Sequence, residues 1–110
     1  MGEMGSRAKP ATRLLIERLG DTELRVRIAA AEALGAIGPD AGPEAATALA
    51  KMAKQDALPG GQMHAINALG KMGPHMHAHL GTLEELSKRG DFMVRDAAAK
   101  VLSRQKAKKQ

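Results

Sequence analysis

The chain has 110 residues, a formal net charge of +5, no Cys, Trp or Tyr, and a single aromatic residue, Phe92. A chain of this length suits one domain that buries roughly two thirds of its unfolded surface. The missing Cys excludes disulfides, thiolate metal sites and thiol nucleophiles, and no window approaches the run of about 18 apolar residues that a membrane helix needs. The core must be built from Leu, Ile, Val, Ala and the seven Met, an aliphatic and adaptable mixture.

Residues 1–9, MGEMGSRAK, hold Gly, Ser and charges and lack the apolar run of a signal peptide, so a flexible N-terminus is expected there. Pro10 suits the first turn of a helix, where its missing N–H costs nothing, and ATRLLIERL sets Leu14, Leu15 and Leu19 on one stripe before Gly20. A second helix is expected from a cap at Asp21 or Thr22 to about Ile37, stopped by Gly38-Pro39. Stepping about 100° per residue from Val26 gathers Val26, Ala29, Ala30, Ala33, Leu34 and Ile37 on a buried face, with Ile28, Glu32 and Gly35 opposite. The third helix is expected from Pro43 to about Lys54, turning Ala45, Ala48, Leu49 and Met52 inward. Gly60-Gly61 should delay the fourth, which runs to about Met72 and buries Ala65, Ala68, Leu69 and Met72. The fifth spans His75 to Lys88 and is marked by Leu80, Leu83 and Leu86. Arg89-Gly90 breaks it, and Asp91 caps a sixth that buries Val94, Ala97, Ala98, Val101 and Leu102 before a basic, fraying end.

These elements repeat. Asp21, Asp56 and Asp91 are spaced by 35 residues, as are Gly38-Pro39 and Gly73-Pro74, and Val26-Arg27 returns as Val94-Arg95 after 68. A period in this range signals stacked units that cannot bury their apolar faces alone. The expected fold is all-α, an α-solenoid of about three antiparallel helix hairpins. The boundaries are a flexible segment 1–9, a repeat domain 10–103 with units near 10–38, 39–73 and 74–103, and a basic tail 104–110.

The stretch Asp21 to Gly35, D-x-x-x-x-V-R-x-A-A-A-x-A-L-G, resembles the HEAT-repeat family, and within it the bacterial phycobilisome-lyase-type repeats. The resemblance covers residues 10–102; the second copy departs from it, with Gly61-Gln62 where Val26-Arg27 would align. It implies a binding scaffold made of helix pairs. VRIAAAEALG, Ala65 to Leu69 and Val94-Arg95 also resemble HEAT-like tails of some bacterial sulfatases, whose catalytic motif is absent here. HEAT-like deoxyhypusine hydroxylases hold iron with His-Glu pairs, and no such dipeptide occurs in this chain.

No residue pattern marks a reaction centre, and no catalytic residue, metal ligand or cofactor is assigned. His75-Met76-His77-Ala78-His79 would place His75 and His79 one α-helical turn apart, but no HExxH frame or Cys completes a site. Arg27 and Arg95 invite either an anion or a structural bridge to an acid or to helix-end carbonyls of the next unit. Arg104, Lys106, Lys108 and Lys109 give the tail its charge, but an electrostatic footprint for nucleic acid should be a stripe across the fold.

The expected function is a non-catalytic, cytoplasmic scaffold or adaptor that binds a protein. The second helices line the concave face in the family's architecture, so the partner should meet Ile28, Glu32, Met63, Asn67, Asp96 and Lys100. Ile28 and Met63, equivalent by the repeat, should form a small exposed apolar pair. Self-association through end helices is a further expectation; nucleic-acid and membrane partners are not expected. Two alternatives stay open: an accessory or detached tail domain of a lyase-like or sulfatase-like enzyme, and weak nucleic-acid binding through the basic ends.

Overall fold

Leu, Ala and Met at helical spacing, punctuated by Gly-Pro and Asp, fold into three antiparallel hairpins. The helices are α1 (Gly2–Arg18), α2 (Leu24–Ile37), α3 (Pro43–Gln55), α4 (Pro59–Leu69), α5 (Leu80–Leu86) and α6 (Phe92–Lys109). This computed structural model describes the backbone of residues 2–109 and the side chains of residues 10–105, among which there is no strand. The hairpins α1–α2, α3–α4 and α5–α6 stack side by side. Their first helices form one layer; in the second layer α2 packs on α4 and α4 on α6. The result is a slab of 41 × 39 × 17 Å.

Small residues make the stacking close. Ala30, Ala31, Ala45, Ala46, Ala53, Ala65 and Ala98 are buried, and Leu34, Leu49, Ile66, Leu69, Met72, Met76 and Leu83 fill the space between the layers. Ala keeps helices near one another without loss of side-chain entropy. At two sites even Ala would be tight. A Cβ on Gly35 would lie 3.2 Å from the Ala68 Cα, and one on Gly70 would lie 3.0 Å from a Val101 methyl. These glycines occupy the same register, Gly35 within α2 and Gly70 at the C-cap of α4. The connections also repeat: Gly38 and Gly73 take φ of 77° and 61°, which suits only Gly. Each turns the chain into a 3-10 segment, Gly38–Ala41 or Gly73–His79.

Several boundaries differ from the sequence expectation. α1 begins at Gly2, and Pro10 lies inside it; the ring keeps a helical φ and removes one backbone donor. α4 starts at Pro59, ahead of Gly60-Gly61, because Pro is pre-set for the first turn. It ends at Leu69, where Lys71 N–H donates to Ala68 O at 2.9 Å and Met72 N–H to Leu69 O at 3.1 Å, closing the end with a tighter pitch. The expected helix from His75 is a 3-10 segment up to His79, with Met76 sunk into the core, and only Leu80–Leu86 is α-helical.

The buried face of α2 is also rotated from the expected one. Ala29 is exposed and Gly35 is buried. The cause is lateral: α4 covers the flank that carries Ala31 and Gly35, while among the described residues nothing covers the flank that carries Ala29. Ala30→Leu should therefore cost about 1–3 kcal/mol by overpacking, while Ala29→Leu should change stability by no more than about 0.5 kcal/mol. Urea denaturation of both variants measures the contrast.

Candidate functional site

The three repeated aspartates build the same local device. Asp21 Oδ1 accepts from Glu23 N–H at 2.8 Å, Asp56 Oδ1 from Leu58 N–H at 3.0 Å, and Asp91 Oδ1 from Met93 N–H at 2.8 Å. A short carboxylate bonding the backbone two residues on is an Asx turn. Asp91 directly precedes α6 and caps it, as expected. Asp21 and Asp56 lie further out, since Glu23 and Leu58 hold the cap positions of α2 and α4. They fasten the entry loop instead of the helix itself.

Arg27 links the first two units. Its Nε donates to Asp56 Oδ2 at 2.8 Å and its Nη2 to Asp56 Oδ1 at 3.2 Å. Its Nη1 donates to the carbonyls of Asp21 at 2.9 Å and Thr22 at 3.1 Å. The Asp56 side chain is 1% exposed and that of Arg27 14%. Burial works to raise the Asp56 pKa, but the Arg27 hydrogen bond, the Leu58 N–H and the guanidinium charge outweigh it and hold the carboxyl below its ordinary value. The Asp56 hydrogen bond in turn raises the Arg27 pKa, against desolvation. Gly61 explains why the second copy departs from the motif. A Cβ there would sit 2.4 Å from the Asp56 carboxylate, so a Val in the register of Val26 would collide with it. Gln62, in the register of Arg27, donates from Nε2 to Ala53 O at 2.8 Å and closes the end of α3.

This pair forms one wall of a cleft of about 510 Å³ between the first two hairpins. Ile16, Leu19, Ala48 and Met52 supply apolar lining, and Glu17, Lys51 and Gln55 supply polar lining. Sequence reasoning did not find this cleft, although the repeated Asp and Arg marked the residues at its base. Four of the five Arg27 N–H donors are engaged within the protein, leaving one on Nη2, so the structural bridge and not an anion accounts for this side chain.

The six expected partner residues lie on the face of α2, α4 and α6 turned away from the first-helix layer. Glu32, Asn67, Asp96 and Lys100 are exposed; Ile28 and Met63 are half-buried. Met63 packs against the core, so the expected exposed apolar pair is not formed. Its position borders the flank that the next helix covers. Glu32 and Asn67 share a shallow cleft of about 190 Å³ with His64 and Lys71. His64 Nδ1 lies 2.9 Å from Gly60 O. A carbonyl only accepts, so Nδ1 is the donor in that contact, and Nε2 lies 3.6 Å from a Glu32 carboxylate oxygen. In α6, Lys100 pairs with Asp96 at 3.2 Å.

The histidine run takes the three-residue pitch, which separates His75 and His79 around the helix axis instead of aligning them. His77 Nε2 meets Gln105 Oε1 at 3.2 Å. Among the described residues no three His, Asp or Glu side chains converge as metal ligands, and no helix is long and apolar enough to cross a membrane. Arg104 is exposed; the side chains of Lys106, Lys108 and Lys109 lie outside the described residues.

Three hairpins joined by short turns, with a shared core and an inter-unit ion pair, define a helical-repeat protein of the α-solenoid class. The family model for HEAT repeats matches residues 1–60, more than half of the chain. The chain belongs to the HEAT-repeat family, whose members generally serve as interaction scaffolds and are typically not catalytic. No curated protein and no solved structure matches it.

Arg27→Ala should lower stability clearly at neutral pH, by more than an exposed-surface substitution such as Ala29→Leu, because it leaves the carboxylate of Asp56 unpaired with almost no access to water. The sign with pH follows from the lowered Asp56 pKa. The contribution of Asp56 is whole above the unfolded value of about 3.9 and is lost as pH falls through the folded pKa. The gap between wild type and variant should therefore narrow in acid, measured by urea denaturation from neutral pH to about pH 3.

Proposed function

We propose that this protein is a non-catalytic scaffold, in a cytoplasmic setting, that binds a protein partner along the outer face of its second-helix layer, the side that the family's architecture makes concave. The supporting observation is the alignment of two rows across three helices. Ile28, Met63 and Asp96 form one row, and Glu32, Asn67 and Lys100 form the other, with four of the six residues exposed. Such a face is polar, with a Glu32–His64 contact at one side and the Asp96–Lys100 pair at the other. A partner of mixed charge fits it better than a purely apolar segment. Self-association through the end helices belongs to the same reading. It is supported by the exposure of Leu14 (48%), Phe92 (71%) and Met93 (49%).

Charge reversal tests the surface. Glu32→Arg combined with Lys100→Glu alters only exposed side chains, so thermal stability should be nearly unchanged. Capture of host proteins from lysate, followed by cross-linking and mass spectrometry, should lose the partners that cross-link to α2, α4 and α6. Undiminished capture would move the site to another face.

A further inference from the structure

Among the described residues, the first and third units each carry one half of the inter-unit contact without its counterpart. Within the chain, the flank of α2 that faces α4 presents Arg27, Ala31 and Gly35; Arg27 grips Asp56, Ala31 is fully buried, and Gly35 meets Ala68. The same register in α6, 68 residues on, reads Arg95, Ala99 and Ser103, and all three are exposed. Arg95 makes no hydrogen bond or ion pair among the described residues. It stands where Arg27 stands, with no acid to grip.

The opposite flank supplies the missing half. α4 receives α2 with Asp56, His64 and Ala68; 35 residues earlier these positions are Asp21, Ala29 and Ala33 in the first unit. Asp21 holds the same Asx turn as Asp56, with Oδ1 engaged by the Glu23 N–H at 2.8 Å. In Asp56 the other oxygen takes the Arg27 Nε at 2.8 Å; in Asp21 that oxygen has no protein donor among the described residues. Ala29 is exposed and Ala33 half-buried.

We infer that a second copy of this chain docks head to tail, the Arg95 flank of α6 in one copy against the Asp21 flank of α2 in the next, with Arg95 bridging to Asp21 as Arg27 bridges to Asp56. This deepens the self-association reading and rests on it. The occupant is argued from charge and register together: Arg95 on one flank and Asp21 on the other are opposite in charge at the positions of Arg27 and Asp56, and both flanks are otherwise lined by small residues, with Ser103 in place of Gly35 setting the docked helix slightly further out. The contact continues an interface already present between the first two units. Such an interface is heterologous, so it adds copies in a series unless the rotation between them closes a ring.

Sedimentation velocity over a wide concentration range tests this with wild type, Arg95→Asp, Asp21→Arg and Ala99→Glu. Circular dichroism confirms the fold of each. Arg95 and Ala99 are exposed on α6, so those two variants remain informative if Asp21→Arg disturbs its loop. The expected result is a concentration-dependent series above the dimer for wild type. Each variant should weaken it by about tenfold or more, the first two by reversing a charge in a desolvated contact and Ala99→Glu by burying an unpaired one. Mixing Arg95→Asp with Asp21→Arg should restore assembly, since the reversed charges complement each other. If wild type associates and the three variants associate equally well, the register is wrong while self-association stands. If wild type is a monomer at every concentration, the self-association reading fails and this inference fails with it.

Discussion

A buried carboxylate that cannot stay unpaired fixes how the first two units sit. Asp56 has almost no access to water, and the guanidinium that neutralises it comes from the neighbouring hairpin. Two parallel N–H donors on one carboxylate fix both distance and angle. Arg27 is itself held, since the carbonyls of Asp21 and Thr22 take its two Nη1 donors. The turn at Asp21 therefore positions Arg27, Arg27 positions Asp56, and Asp56 positions the entry to α4. Desolvation offsets much of the Coulombic gain of such a pair. Its contribution is register: the apolar layers of Ala and Leu would tolerate a small slide, and a bidentate ion pair does not.

The third unit is attached by other means. Gln62 stands where an Arg would reach forward, and it turns back to the end of α3. Asp91 is left exposed. What joins α6 to α4 is shape: Gly70 lets Val101 approach to methyl contact, and Val94, Ala97 and Ala98 are buried beside it. One substitution in the motif links the two arrangements. Gly61 makes room for the Asp56 carboxylate, so the residue that breaks the Val-Arg pattern in the second unit completes the ion pair of the first.

The period of the sequence made the fold legible. Equal spacing of Asp, of Gly-Pro and of the small-residue runs gave the hairpins, the inward residues of α3, α4 and α6, and the end of α2. The misplaced helix faces share one physical source, that a helical wheel assumes a single neighbour. Each second helix has a first-helix layer beneath it and up to two lateral neighbours. That is why Gly35, read as opposite the core, is buried, and why Ala29, read as inward, is exposed. Met63 is half-buried for the same reason, which removes the apolar pair from the candidate surface. The histidine run was misjudged because α-helical spacing was applied to a segment that takes a three-residue pitch. The partner of Arg27 was legible only as a class, an acid or carbonyl of the next unit, because the period places residues in register without saying which side chains are long enough to meet.

Comparing equivalent positions within the chain separates the faces by the work they do. The two flank rows at the closest approach stay small or apolar: Gly35, Gly70 and Ser103 on one side, Ala33, Ala68 and Val101 on the other. Packing density enforces this at the point of closest approach, since a bulky side chain there would hold the helices apart; Arg27, Asp56 and His64 lie nearer the other end of the same contact. The outward row does not repeat. It runs from Glu32 through Asn67 to Lys100, from acid to neutral to base, across helices that lie side by side. Nothing in the stacking demands that order, because no described helix packs on that face. A row released from the packing constraint can take any sequence compatible with water, and this one places opposite charges at its two ends. On the proposed scaffold reading, a ligand that engages the whole row has to span the second-helix layer, which an extended or helical polypeptide does and a small anion does not.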